Sequence, residues 1–147
     1  MEQEATDAPT AAPVEVLAPG ELAARLPAAV GGLARADVDT SAQSALGAEV
    51  AEASARYGDG AASVTLTDLG TAEMVEMMGY GWGLGGGAEQ VDGHPARVEA
   101  GVGGAATVRV VVGERFVVEA AAEGGRDVAE AAVRGVDLAG LAAAAGR

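Results

Sequence analysis

The sequence predicts an α+β domain: a largely antiparallel β-sheet with a mid-chain helix and with N- and C-terminal helices. Three observations predict it. Ala51, Ala53, Ala55 and Tyr57 alternate with Glu52, Ser54 and Arg56, which is strand periodicity, and Gly58-Asp59-Gly60 then leads into a second alternating run, Ala61 to Asp68. The β-rich runs Thr107–Val112 and Arg115–Ala120 are separated by Gly113-Glu114, a hairpin connection. Helix-start signals stand between and after these runs, at Thr71, Asp127 and Asp137. Strands paired through short turns, with helices set apart from them, favour an antiparallel sheet over alternating βαβ units.

Residues 1–19 are rich in Ala, Pro and Glu, and Pro9, Pro13 and Pro19 interrupt regular structure. They are expected to form a disordered or extended tether, with a single domain over 20–147. Glu21–Leu26 reads as a short helix ended by Pro27. Gly31-Gly32 turns the chain into a first strand, Leu33–Asp39. Residues 45–57 could also form a helix, because Ala and Glu favour one, but the alternation argues for a strand. Thr71 is placed to cap a helix running to about Met78. Glycine at 79, 81, 83, 85, 86 and 87 then ends it. Ala88–Asp92, a turn at Gly93-His94-Pro95, and Ala96–Ala100 suggest two further strands. Gly113-Glu114 is expected to form a type II′ turn. Asp127-Val128-Ala129-Glu130 resembles a capping box for a helix that Gly135 stops, and Asp137 caps a last helix through Ala145.

Composition narrows the chemistry. The 147 residues include one histidine, His94, no cysteine and no lysine. Most nucleophile, base and metal-ligand schemes draw on those three residue types, so catalysis is not expected. Ile and Asn are absent as well, and this pattern matches the codon usage of a GC-rich genome. Half of the chain is hydrophobic, mostly Ala and Val, and only 3% is aromatic. Such a core depends on close backbone approach. A net charge of −13 repels nucleic-acid phosphates and anionic membranes, so neither is an expected partner. It suits a solvated acidic surface, whether in a halophilic cytosol or on a secreted domain. No stretch approaches the roughly 20 apolar residues of a membrane helix, so membrane insertion is not expected.

Several motifs bear on function. Gly81-x-Gly83-x-x-Gly86 spells the dinucleotide fingerprint, but it follows a helix and precedes a strand, the reverse of the required context. The same segment carries Tyr80 and Trp82, two of the four aromatics. Aromatics in a glycine loop either plug the edge of the core or present a contact surface, and these two are the candidate partner-binding residues. Met74, Met77 and Met78 recur at helical i, i+3 and i+4 spacing. Thioethers bind Cu(I), and His94 could join them, so a metal-handling site is the alternative to a soft core face. Asp37-x-Asp39-x-Ser41 opens like a calcium loop, but Ala42 and Ala48 stand where Gly and Glu are needed. Glu73 and Glu76 share a helix face and read as solvated. No serine sits in a nucleophile elbow. No cofactor is expected.

Ala55-Arg56-Tyr57-Gly58-Asp59-Gly60 with its following strand, Val91-x-Gly93-His94-Pro95-Ala96, and Val112-Gly113-Glu114-Arg115-Phe116-Val117-Val118 together resemble small uncharacterised bacterial α+β domains often carried by lipoproteins. The resemblance implies a tethered domain facing the cell envelope. Met1-Glu2-Gln3-Glu4 lacks a signal peptide's basic and apolar regions, and there is no lipid-bearing cysteine. The expected compartment is therefore the envelope, if a signal segment has been removed, or else the cytoplasm. The expected function is a non-catalytic binding or structural module whose partner is a protein or a small ligand. The sequence sets no oligomeric state.

Overall fold

The computed structural model describes residues 16–45, 48–84 and 89–145. Its elements are α1 (Pro19–Ala23), β1 (Ala29–Val30), β2 (Leu33–Ala45), β3 (Ala48–Tyr57), β4 (Ala62–Asp68), α2 (Ala72–Met77), β5 (Glu89–Val91), β6 (His94–Ala100), β7 (Ala106–Val112), β8 (Phe116–Ala122), α3 (Arg126–Arg134) and α4 (Leu138–Ala145). Short 3₁₀ turns lie at Gly81–Gly83 and Val102–Gly104. The eight strands form one sheet in the order β1-β2-β3-β4-β8-β7-β6-β5, and neighbouring strands pair antiparallel throughout. The fold is thus β-rich, with short helices as its minor part, and this is compatible with the α+β label.

Two meanders build the sheet, β1–β4 and β5–β8. Each runs from an edge inward, and their last strands pair in the middle, from Ala62↔Ala122 to Asp68↔Phe116. The alternation of β3 and β4 explains what covers this sheet. Ala51, Ala53, Ala55, Tyr57, Val64 and Leu66 turn to one face and are buried there with Val108, Val110, Val118 and Ala120. Leu22 of α1, Ala129, Ala132 and Val133 of α3, and Leu141 and Ala144 of α4 close that face. Burying a valine or leucine stabilises by about 1.5–3 kcal/mol, and the many alanines let helix and sheet backbones approach closely. A second, smaller cluster lies on the other face: Val50, Leu69, Met74, Val75, Val111 and Val117.

Several expectations hold. The strand–turn–strand from β3 to β4 forms, with Tyr57 in register with Ala62, and the helical alternative for 45–57 is not adopted. Thr71 caps α2, its Oγ1 accepting from the Met74 amide at 3.1 Å. Asp137 accepts from the Gly140 amide at 3.0 Å at the start of α4.

Others are corrected. Pro19 starts a helix instead of breaking one: α1 spans Pro19–Ala23, not Glu21–Leu26, because proline's fixed φ suits the first turn. The first strand is preceded by the two-residue β1 and runs on to Ala45, well past Asp39, because pairing with β3 recruits residues that have no alternation of their own. The turn expected at Gly93-His94-Pro95 lies at Asp92-Gly93, where φ is 52° and 85°. Val91 pairs with His94, so His94 and Pro95 belong to β6. Positive φ at both loop positions is the type I′ pattern that Asp-Gly favours. Gly113 and Glu114 likewise both have positive φ, 62° and 57°, so that turn is not type II′. Helix α3 starts at Arg126 after Gly125. Asp127 therefore lies inside the first turn, where its charge favours the helix dipole but caps nothing. Val16 and Leu17, placed by sequence in the tether, pack against the larger cluster, and most of that tether, 1–15, lies outside the described residues.

Candidate interaction surface

The side of the sheet away from α1, α3 and α4 is only partly covered. Its open part is polar because the alternate residues of each strand point there. Asp39, Ser54, Thr65, Glu119, Arg109 and Arg97 stand in one row across β2, β3, β4, β8, β7 and β6. Arg109 is tied on both sides, to Glu99 at 2.7 Å and to Glu119 at 3.3 Å. Hydrogen bonding from Arg109 holds the Glu99 carboxyl below its usual range. Arg97 stands in register beside Arg109. Its guanidinium lies over the Trp82 ring, 5.4 Å from the centroid.

Tyr80 and Trp82 border this row. Helix α2 ends at Met77 with Met78 as its cap, Gly79 takes φ +94°, and the Tyr80 amide donates to the Val75 carbonyl at 2.9 Å. The 3₁₀ turn then lays its backbone on the sheet. Gly83 is buried, and a Cβ there would overlap the Val111 side chain, so only glycine permits this approach. The two rings meet edge to face, with centroids 6.3 Å apart at 73°. Both are half-buried and pack on the smaller cluster with Leu84. Burial raises the Tyr80 phenol pKa, and the negative charge of Glu119 adds to the rise. The pair therefore closes the edge of the small cluster with its inner atoms and leaves part of each ring toward solvent, beside Arg97 and Arg109.

The other candidate residues are not brought together. Met74 is buried, whereas Met77 and Met78, later on the same turn, are 53% and 45% exposed, so the three do not share one buried face. His94 shares its strand face with the buried Ala96 and its register partner is the buried Val91, so it stands on the side that carries the other helices. Asp37, Asp39 and Ser41 lie on strand β2 rather than in a loop, and Asp37 is bound by Arg56 at 2.9 Å. Glu73 and Glu76 are exposed on α2. The Gly81–Gly86 motif begins in the 3₁₀ turn between α2 and β5, and its last glycine lies outside the described residues. Among the described residues, no group of three or more His, Asp and Glu could hold a metal ion, and no helix is long and apolar enough to cross a membrane.

Two features were not legible in the sequence. One is a buried ion pair. Asp68, fully buried at the end of β4, accepts from Arg115 Nε and Nη2 at 2.8 Å each, from the Leu17 amide at 2.8 Å and from the Gly70 amide at 2.9 Å. It joins the N-terminal segment to the middle of the sheet and has a structural role. The other is an open cleft of about 600 Å³ between the end of α1 and the α3–α4 junction. Arg25 and Arg134 on its walls are already paired with Asp137 and Asp92, at 3.0 and 3.1 Å.

Comparisons with known protein families, with curated proteins and with solved structures return no match.

Proposed function

We propose that the protein is a non-catalytic binding module whose contact surface is the Tyr80–Trp82 ridge and the polar row beside it. The observation that carries this reading is the division of its four aromatics. Tyr57 and Phe116 are fully buried, while Tyr80 and Trp82 stay half-buried on the open side of the sheet. In a chain so poor in aromatics, core packing would use all four. Trp, Tyr and Arg are also the residues that dominate binding interfaces, and here Arg97 lies against Trp82. The partner is a protein or a small ligand. A location in the bacterial cell envelope is supported by the resemblance of the hairpin segments alone, with the cytoplasm as the other assignment.

The test compares wild-type protein with Trp82→Leu and Arg97→Gln as immobilised baits against extracts of the source cells, with each melting temperature recorded. Leucine keeps an apolar anchor on the small cluster, so the melting temperature is expected to move by a few degrees at most. The reading requires at least one partner that wild type retains and both variants lose. Identical retention by all three proteins contradicts it.

A further inference from the structure

Among the described residues, no strand pairs with the outer side of β2 over most of its length. β1 pairs only with Leu33 and Ala34, and a register shift follows between Arg35 and Asp37. From Asp37 onward the other side of β2 has no strand among the described residues. The side chains of 34–44 are exposed on both faces, including Val38 at 42%. An edge of this kind is a template for pairing, and proteins blunt it with charge, proline or short strands. Here Asp37 and Asp39 guard the first half. Thr40-Ser41-Ala42-Gln43-Ser44-Ala45 carries no charge and no proline.

We propose that this edge pairs with the same edge of a second copy of the chain, antiparallel about a two-fold axis through Ser41. Like-charge repulsion leaves only centres from Thr40 onward, and the one at Ser41 also sets the Gln43 amide against Asp39. It sets Ser41 opposite Ser41, Thr40 opposite Ala42, Asp39 opposite Gln43 and Val38 opposite Ser44, with Asp37 opposite Ala45. No carboxylate faces another, and the Gln43 amide can donate to the Asp39 carboxylate. Registers centred nearer the start of the strand, at Asp37 or Val38, bring the aspartates against each other, and these are excluded. A two-fold contact is self-complementary and joins the two sheets into one. The contact is small by the standard of stable interfaces, about 1,600 Å², so the dimer forms reversibly with concentration. Two copies at −13 each repel, so added salt tightens it.

The chain has no cysteine, so Ser41→Cys supplies one thiol per molecule. Directly opposed antiparallel residues have Cα atoms about 4.5–5.5 Å apart, within the span of a disulfide. Full-length Ser41→Cys is expected to cross-link under mild oxidation at least ten times faster than Ala131→Cys, on the exposed side of α3. Wild type is expected to sediment as a concentration-dependent dimer. Ser41→Glu and Ser41→Arg are each expected to be monomeric, and an equimolar mixture to recover a heterodimer. A wild type that stays monomeric up to millimolar concentration overturns the proposal. So does a dimer indifferent to the Ser41 charges, or cross-linking no faster than the control. Trp82→Leu is expected to leave the dimer intact, which separates this edge from the Tyr80–Trp82 surface.

Discussion

Asp68 and Arg115 take opposite charges into the interior, and the arrangement is tolerable because the guanidinium and the Leu17 and Gly70 amides all donate to the carboxylate. Removing one member leaves the other buried and uncompensated, which costs about 3–5 kcal/mol. Asp68→Ala is therefore expected to lower the unfolding free energy by that amount in a urea titration. A loss below about 1 kcal/mol would contradict the geometry. This pair was not legible in the sequence, since each residue is ordinary at a strand end and only the β4–β8 pairing brings them together. The tyrosines supply a second residue-scale test. Burial raises both phenol pKa values, at Tyr57 and at Tyr80. A raised pKa in the folded state means that the stabilisation is full below the ordinary tyrosine value of about 10 and is lost as pH climbs toward the folded value. Absorbance titration of the native protein should show both phenols ionising above the ordinary tyrosine range.

At the scale of elements, the turn at Gly81–Gly83 holds the candidate surface in place. Gly83→Ala forces a methyl into Val111. The expected cost is about 1–3 kcal/mol, accompanied by a red shift of Trp82 emission as the turn lifts from the sheet. An unchanged spectrum would mean that the turn does not rest on Val111. Strands were legible where one face is buried. Ala51 through Tyr57 announces itself because alternate residues go into the core. Residues 40–44 of β2 did not, because both faces of that stretch are exposed and no contrast is written into it. Glycine-bearing turns were located to within a residue or two, but their type was not, since Gly113-Glu114 fits more than one hairpin geometry until φ at Glu114 is known. The start of α3 was misread because an acidic residue in the first turn and one at the cap look alike in sequence.

Across the whole molecule, two inward-running meanders produce a sheet with unequal sides. One is sealed by three helices, and the other is half covered by α2 and its 3₁₀ turn. That inequality leaves Tyr80 and Trp82 half-buried. Their presence in a glycine-rich loop was legible in the sequence. Their neighbours were not, because Arg97, Arg109 and Glu119 sit on three different strands and meet only through register. The methionine spacing was legible as a helix, but not that Met74 is buried while Met77 and Met78 stay exposed.

Trp82 is the only tryptophan, so its fluorescence reports on this surface alone. Acrylamide quenching of the native protein, set against the same protein in denaturant, tests the central claim most directly. The account expects an emission maximum between those of buried and solvated indole, and quenching that is measurable in the native state yet several-fold slower than in denaturant. A fully protected indole would contradict it, because no ring face would remain for a partner.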